Sequence, residues 1–344
     1  MAITKDDLIK HFQNVLTTIE DNQTLWSATE KAKEMTYVMD ENWSSKSDKK
    51  YSEKAKIEVI ESTTFNAASA YAKEHNVSVL NFANPVTVGG GVLNGAMAQE
   101  ECLCRSSNLY SCLNQDKTKK DYYEYNKALG TTFYSDKVIV SLGVTVFMSD
   151  DVIPQELPSE NWFNVNVLTC AAPYIAKRKH TNSKALKQLF KRRIKNIFEC
   201  ALSYQTEVIV LGAFGCGAFK NPPSIVAEAF YEVINENEYD YKFKKIIFAI
   251  KRSDTPCPNL IAFETQFQGL SAEQNLLRFC DNYALAQAIG EIRMPSGRVL
   301  KGGNEFNPYE SWQYENKYYR KQFSIMRLNC SRCISEVPEM PSSA

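Results

Sequence analysis

The chain has 344 residues, 44% hydrophobic and 23% charged, which suffices for one large hydrophobic core and an appendage. Its 40 basic and 40 acidic residues give a formal charge of zero, so we expect no direct, sequence-specific nucleic-acid binding. The first residues contain no apolar signal segment, and no apolar run approaches membrane-spanning length. We therefore expect a cytoplasmic protein without a membrane partner, or a nuclear one in a eukaryote.

The ten cysteines are too sparse in a chain of this length for a disulfide framework. Cys170, Cys200 and Cys280 lie in apolar stretches, where a thiol behaves as a small hydrophobic group. Cys330 and Cys333 have the spacing of a metal-binding pair, but no second pair accompanies them, which favours two inert thiols. With three histidines in the chain, we expect no metal and no cofactor.

Residues 4 to about 37 predict two amphipathic helices, because apolar residues recur at helical spacing and acidic residues suit the first turn. Residues 40–56 are polar and rich in lysine, which is typical of a loop. A strand over 56–61 and a helix capped by Thr63 come next. The apolar stretch Val77–Phe82 predicts a buried strand that ends at the first of two glycine-rich loops.

Beyond this loop, residues 99–113 predict one helix, and residues 114–136 predict a polar loop or a short helix. Two strands follow, over 137–143 and 162–171. The proline-containing stretch 148–160 between them predicts an insertion.

Residues 183–205 predict a long helix whose outward lysines and arginines are typical of a solvated face rather than a binding patch. A strand over 206–212 leads into the second glycine-rich loop. Asn221 and Pro222 then predict the start of a helix, in the order cap and then proline.

A strand over 244–250 and a helix over 259–268 complete a domain that we place over residues 1–270. Alternation of short apolar strands with helices indicates an α/β layered domain with a largely parallel sheet. The composition changes after this point. Residues 271–344 are expected to form a helical and aromatic extension of unknown role, with a turn or hairpin over 294–303.

The first glycine-rich loop carries three consecutive glycines and then delivers two acids to the start of a helix. A run of glycines costs backbone entropy and adds no packing, so it favours a backbone that approaches a ligand closely. The residues of interest in this loop are Asn84, Gly89, Gly90, Gly91, Ala98, Gln99, Glu100 and Glu101.

The second glycine-rich loop has glycines at Gly212, Gly215 and Gly217, which is not the dinucleotide-binding spacing. It begins like a P-loop, but Ala218 and Phe219 stand where lysine and serine or threonine are required. What remains is a backbone cradle for a diphosphate, because the helix N-termini that follow such strands favour phosphate. A tight turn that binds nothing is the alternative for this loop taken alone.

The acids Glu100 and Glu101 are neighbours, and neighbours on a helix point about 100° apart. They therefore cannot face each other across a sugar as the two carboxyl groups of ordinary glycosidases do. One can act as a general acid while the other holds sugar hydroxyls. A helix N-terminus would lower the pKa of that acid, so burial or a bound phosphate would have to raise it. An acidic first turn that serves only the helix dipole is the alternative.

The pattern Gly89-Gly90-Gly91, a seven-residue spacer and Gln99-Glu100-Glu101 resembles the signature of the poly(ADP-ribose) glycohydrolases. The stretches 81–84 and 98–110 resemble the compact, bacterial-type branch of that family. The same branch has a loop similar to residues 212–219, which are followed here by Asn221 and Pro222. The resemblance covers roughly residues 5–268. It implies a macrodomain-like three-layer α/β/α fold with a mixed, largely parallel sheet, an N-terminal helical extension and a C-terminal appendage.

The resemblance also implies roles. Glu101 would be the general acid that protonates the leaving 2′-oxygen of the ribose–ribose bond, and Glu100 would hold the ribose hydroxyls. Asn84 would lie near the distal ribose. The stretch from Gly215 through Cys216 and Gly217 to Ala218 would wrap the diphosphate, and Phe219 would pack against the terminal ribose.

The activity implied is release of ADP-ribose from the ends of poly(ADP-ribose), free or on modified proteins, without a metal. Two alternatives stay open: removal of single ADP-ribose units from protein or nucleic acid, and a reader that only binds ADP-ribose.

Overall fold

The computed structural model describes residues 3–176, 181–252 and 257–269, and the backbone of 291–293 and 299–301. The chain divides into two compact units, Met1–Lys251 and Arg252–Ala344. The domain boundary at residue 270 stays a prediction. The expectations for the helix after residue 271 and for Cys280, Cys330 and Cys333 lie outside the described residues.

The first unit contains one seven-stranded sheet with the strand order β1-β4-β5-β3-β6-β7-β2. Strand β4 runs antiparallel to both of its neighbours, and every other neighbouring pair is parallel. The sheet is therefore mixed and largely parallel, as predicted. The strands are β1 (Thr36–Met39), β2 (Lys56–Ile60), β3 (Val77–Phe82), β4 (Val138–Val146), β5 (Phe163–Cys170), β6 (Val208–Leu211) and β7 (Lys245–Ala249).

Helices pack against both faces of this sheet. Buried side chains of α1 to α5 form one core with alternate residues of the strands, such as Val77 and Val79 of β3. On the other face α8 packs against α9, and Phe230 of α9 meets Phe248 of β7 with ring centroids 5.1 Å apart. The helices are α1 (Lys5–Asp21), α2 (Gln23–Glu34), α3 (Thr64–Ser69), α4 (Gln99–Ser106), α5 (Leu109–Leu113), α6 (Asp116–Thr118), α7 (Tyr125–Ala128), α8 (Ser183–Ser203) and α9 (Pro223–Glu236).

Two helix predictions were wrong in their extent. The segment 99–113 is two helices, because Ser107 is extended and forms a β-bridge with Val146. The backbone N–H of Asn108 also donates to the carbonyl of Thr145 (3.2 Å). The N-terminal helices end at Glu34, and the strand β1 that begins at Thr36 was not predicted.

Residues 114–136 contain more helix than expected. Helices α6 and α7 are joined by a π-helical turn over Lys119–Glu124. Pi-helical turns occur often near functional sites. This one turns two consecutive tyrosines, Tyr122 and Tyr123, inward.

Both predicted helix caps work differently from the expectation. Thr63 precedes α3, but its side chain makes no capping bond. Asp150 caps the helix from the insertion by accepting from the Phe65 N–H (3.1 Å). Helix α9 begins one residue later than predicted, with Pro222 as its N-cap. Asn221 belongs to the loop before it, where its side-chain nitrogen donates to the carbonyls of Pro173 and Gly215.

The described part of the second unit consists of α10 (Pro258–Gln268) and a two-stranded antiparallel hairpin. The hairpin strands are β8 (Glu291–Arg293) and β9 (Val299–Lys301). The second strand lies within the range 294–303 predicted as a turn or hairpin, and the first strand precedes it. Of the helices that the structure describes in either unit, none is long and apolar enough to cross a membrane.

Candidate active site

The two glycine-rich loops meet at one edge of the sheet. Strands β5, β3 and β6 are parallel neighbours, so the loops that follow them leave from the same edge. A Cβ on Gly212 would come within 2.9 Å of the Phe82 ring at the end of β3. The loop after β5 completes the group, since the Asn221 amide donates to the carbonyl of Pro173 (2.8 Å).

Asn84 shapes the start of the first loop. Its side-chain oxygen accepts from the backbone N–H groups of Val86 (3.0 Å) and Thr87 (2.9 Å), which makes a local turn. Its own backbone N–H donates to Glu100 Oε2 at 2.7 Å. Asn84 therefore joins the turn to the acid pair.

The glycines that follow are required by the protein's own packing. Gly89 and Gly90 have φ of +61° and +60°, in the left-handed region that favours glycine. A Cβ on Gly90 would collide with the carboxylates of both Glu100 and Glu101, and one on Gly89 would lie 2.7 Å from the Tyr110 ring. The backbone comes close to the acids themselves as well as to the space in front of them.

Gln99 fixes the first turn of α4 against β3. Its Oε1 accepts from the Phe82 N–H (2.8 Å), and its Nε2 donates to the Leu80 carbonyl (2.8 Å) and to the Thr64 hydroxyl (3.0 Å). Ala98, exposed at the N-cap of α4, precedes it. The Gln99 amide positions the acid pair through protein contacts, and a direct contact of Gln99 with ligand stays a prediction.

Glu100 is the more buried acid, with 2% of its surface exposed. Burial raises its pKa to about 8, although the Asn84 N–H and the Asn81 amide (3.2 Å) act against this, and the charge of Glu101 raises the pKa further. For this residue, burial outweighs the stabilisation that a helix N-terminus gives a carboxylate. The raised pKa favours the protonated form of Glu100 near neutral pH.

Glu101 is 7% exposed and is held by one oxygen. Gly91 N–H donates to its Oε1 at 2.7 Å. Its Oε2 is buried and, among the described residues, has no hydrogen-bond partner. A buried acceptor without a partner is unfavourable, so this oxygen is suited to a group that a ligand supplies.

The glycines of the second loop differ from one another. Gly215 has φ of +75° and packs against Ala172 and the Asn221 amide, so a side chain does not fit there. Gly217 is exposed and has no atom within 4 Å of the place a Cβ would take, and Ala218 beside it is also exposed. The open side of the loop is therefore at residues 217 and 218.

Phe219 and Asn221 hold the two ends of this loop. The half-buried Phe219 ring lies edge-on to Tyr174, with centroids 5.2 Å apart. Asn221 Nδ2 donates to the Gly215 carbonyl (2.9 Å), and its buried Oδ1 has no partner in the described part of the chain. The Cys216 thiol lies 3.8 Å from the Phe214 carbonyl, and burial raises its pKa, which disfavours the nucleophilic thiolate.

Three residues near the acid pair were not assigned roles from the sequence. Asn81 is a polar residue in a buried strand, and its amide bridges Glu100 and Thr169 (3.2 Å each). Tyr122 and Tyr123 are buried, and burial raises the pKa of both phenols, with the charge of Glu100 contributing. A polar asparagine within an apolar strand could have indicated from the sequence that Asn81 belongs to the site. The two tyrosines lie in a segment with no clear periodicity, so their inward direction could not be predicted.

Together these groups can carry out acid-assisted cleavage of a sugar bond. One carboxyl oxygen is free beside a close-approaching backbone, and a second buried carboxyl can hold hydroxyl groups. The neighbouring loop presents exposed backbone before the N-terminus of a helix, where a phosphate is favoured.

Comparison with known proteins agrees with this geometry. The family model described as "Microbial-type PARG, catalytic domain" matches residues 9–149, which include the first loop and both acids. PARG stands for poly(ADP-ribose) glycohydrolase. No match was found among curated proteins.

Solved structures of two bacterial enzymes are similar to the chain. The poly(ADP-ribose) glycohydrolase of Thermomonospora curvata is 26% identical, with 76% of this chain and 99% of that chain covered and a TM-score of 0.67. Its complex with the inhibitor ADP-HPD is 27% identical, with 76% of this chain and 99% of that chain covered and a TM-score of 0.66. The Deinococcus radiodurans enzyme in complex with ADP-ribose is 30% identical, with 71% and 98% covered and a TM-score of 0.61.

These similarities confirm the predicted macrodomain-like α/β architecture with its N-terminal helices. The chain covers nearly the whole of a relative that is 30% identical to it. The chain therefore belongs to the family of microbial-type poly(ADP-ribose) glycohydrolases.

Proposed function

We propose that this protein hydrolyses the ribose–ribose O-glycosidic bond of poly(ADP-ribose) from chain ends and releases ADP-ribose. The observation that carries the proposal is the state of Glu101. One of its oxygens is fixed by the Gly91 N–H, and the other is buried and free of protein partners among the described residues. The relatives solved with ADP-ribose and with ADP-HPD support the choice of ligand.

We assign the diphosphate of the terminal unit to the second loop. Gly217 and Ala218 present exposed backbone there, and the N-cap of α9, Pro222, follows four residues after Ala218. Gly215 and Cys216 form the inner side of the cradle. Phe219, held by Tyr174, packs against the terminal ribose.

We assign the scissile bond to the first loop. Glu100 holds ribose hydroxyls, because its carboxyl group is protonated at neutral pH and can both donate and accept a hydrogen bond. The backbone of Gly89, Gly90 and Gly91 borders the sugar, with Asn84 near the distal ribose.

Glu101 acts as the general acid. Its Oε2 gives a proton to the leaving 2′-oxygen as the bond to the anomeric carbon breaks, and the ribose passes through an oxocarbenium-like state. Water, held against a substrate phosphate, bonds to that carbon, and its proton returns to the carboxylate. Substrate binding excludes water and brings phosphate charge to the pair, and both effects favour the protonated form of a carboxyl group.

A polymer assay tests the activity. Purified poly(ADP-ribose) is incubated with the protein, and the products are separated by size. Chain-end hydrolysis predicts free ADP-ribose from the earliest times, with gradual shortening of the polymer. Early appearance of mid-sized fragments would contradict attack from chain ends, and no release at all would contradict the proposed function.

The same assay separates the alternatives. A protein that carries single ADP-ribose units is supplied beside the polymer. Faster release from that substrate would favour the mono-ADP-ribosyl hydrolase, and binding of ADP-ribose without any release would favour the reader.

The cysteines seen in the described part, Cys102 to Cys257, are free thiols, which supports placing the protein in the reducing cytoplasm.

A further inference from the structure

Arg105 is a buried cation behind the acid pair. It lies in the last turn of α4 with 1% of its surface exposed. Its Nη1 donates to the Ala96 carbonyl at 2.7 Å, and its Nη2 lies 3.6 Å from the Cys102 sulfur. The other fully buried arginine, Arg193, forms an ion pair with Asp136 (2.9 Å), whereas no ion pair within the described residues includes Arg105.

This arrangement is costly for packing alone. A buried charge is unfavourable unless it is paired or well hydrogen-bonded, and an apolar residue of similar size would fill the space without that cost. The contact for which a guanidinium is needed is therefore its hydrogen bond to the Ala96 carbonyl.

Ala96 connects Arg105 to the first glycine-rich loop. Its backbone N–H donates to the Gly91 carbonyl at 3.1 Å, while its own carbonyl accepts from the guanidinium. Gly91 N–H in turn donates to Glu101 Oε1 at 2.7 Å. A hydrogen-bonded relay thus runs from Arg105 through Ala96 and Gly91 to Glu101.

The relay closes on one helix. Glu101 and Arg105 are four residues apart on α4, so they share a face of that helix and hold the two ends of the turn 91–96 between them. Gly95 packs this turn against the backbone of Lys5. Its φ is +69°, and a Cβ there would lie 2.5 Å from the Lys5 carbonyl oxygen. The Gly91 N–H that fixes Glu101 is positioned from both sides.

We propose that Arg105 is a positioning residue for hydrolysis. It fixes the Ala96 carbonyl, and so the Gly91 N–H, which leaves Glu101 Oε2 directed at the leaving oxygen. The proposal rests on the proposed function of Glu101. Without the guanidinium the turn shifts and the acid is misplaced, and misplacement by about 1 Å can cost on the order of 100-fold in rate.

The test compares Arg105→Met and Arg105→Lys with the unaltered protein in the polymer assay, with calorimetric measurement of ADP-ribose binding. We expect Arg105→Met to lower kcat by about 10- to 100-fold while KM and ADP-ribose affinity change by less than about threefold. Lysine keeps one donor for Ala96, so Arg105→Lys should recover part of kcat. Cys102→Ala is the matched control, since it removes the other contact of the guanidinium and leaves the relay intact.

A double-mutant cycle separates positioning from a general structural effect. In a Glu101→Gln background, Arg105→Met should lower the residual turnover by less than about twofold, because the residue acts through Glu101. A full multiplicative loss in that background, or unchanged kcat in Arg105→Met, would overturn the proposal. If Arg105→Met does not fold, Arg105→Lys takes its place in the same cycle. Absence of ADP-ribose release by the unaltered protein would instead count against the proposed function.

Discussion

The two glycine-rich loops leave neighbouring strands, but their glycines serve different ends. In the first loop Gly89, Gly90 and Gly91 are held by the protein's own atoms, because a Cβ on any of them would meet a protein side chain within 3 Å. In the second loop Gly212 and Gly215 are packed against protein atoms as well, whereas Gly217 faces open space. The first loop supports the acid pair, and the second has one open side, at Gly217, for a ligand.

A glycine run therefore does not identify a ligand contact by itself. The triple glycine permits the backbone to reach the side chains of Glu100 and Glu101, and the Gly91 N–H fixes Glu101 Oε1. A substitution in the first loop should therefore affect the chemical step, whereas one on the open side of the second should affect binding.

The largest expected effect is that of Gly90→Ala. Its positive φ and the collision of a Cβ with both carboxylates would displace the acid pair, so we expect turnover of the polymer to fall by at least about 100-fold. Gly130→Ala is the matched control, because Gly130 has nearly the same φ, +61°, with nothing within 4 Å of its Cβ position. Equal losses in the two variants would show that backbone strain alone is responsible.

A smaller effect, on binding, is expected for Gly217→Ala. The added methyl group meets no protein atom, and Gly217 does not have a positive φ, so the free energy of unfolding should not fall. It stands where the diphosphate is proposed to approach, and we expect ADP-ribose affinity to fall by roughly tenfold, about 1.4 kcal/mol. Calorimetry with ADP-ribose measures this. Unchanged affinity would mean that the phosphates do not approach this side of the loop.

The third expected effect is on the pH dependence of stability. The carboxyl of Glu100 titrates at its ordinary value of 4.5 in the unfolded chain and at about 8 in the folded protein. Its protonation therefore stabilises the fold fully below pH 4.5, and this contribution is lost as the pH rises through 8, by at most about 5 kcal/mol. Glu100→Gln should flatten the slope of unfolding free energy between these values.

Chemical denaturation at several pH values measures this slope. Substitution of an exposed acid, Glu53→Gln, is the control and should leave the slope as in the unaltered protein. A slope that is the same in Glu100→Gln would show that Glu100 is ionised in the folded protein at neutral pH.

Much of the fold was predictable because its strands and long helices have strong apolar patterns. Strand β3 and helix α8 were predicted to within about two residues. The short edge strand β1 was missed because four residues carry too little pattern and its formation depends on pairing with β4. The break at Ser107 was missed for a similar reason, since a bridge to Val146 overrides the local helical preference.

In the site, the sequence indicated which residues lie together and not how they are held. Adjacent parallel strands bring the two loops to one edge, which strand–loop–helix order could predict. The relay from Arg105 to Glu101 and the inward turn of Tyr122 could not be predicted, because both depend on contacts between side chains and backbone that have no sequence period. The raised pKa of Glu100 likewise follows from its burial.

The role of Glu101 is best tested by measuring polymer turnover and ADP-ribose affinity together for Glu101→Gln. Glutamine keeps the acceptor for the Gly91 N–H and cannot donate the acid's proton. We expect turnover to fall by at least about 100-fold while affinity stays within about threefold. Turnover equal to that of the unaltered protein would contradict the role of Glu101 as the general acid.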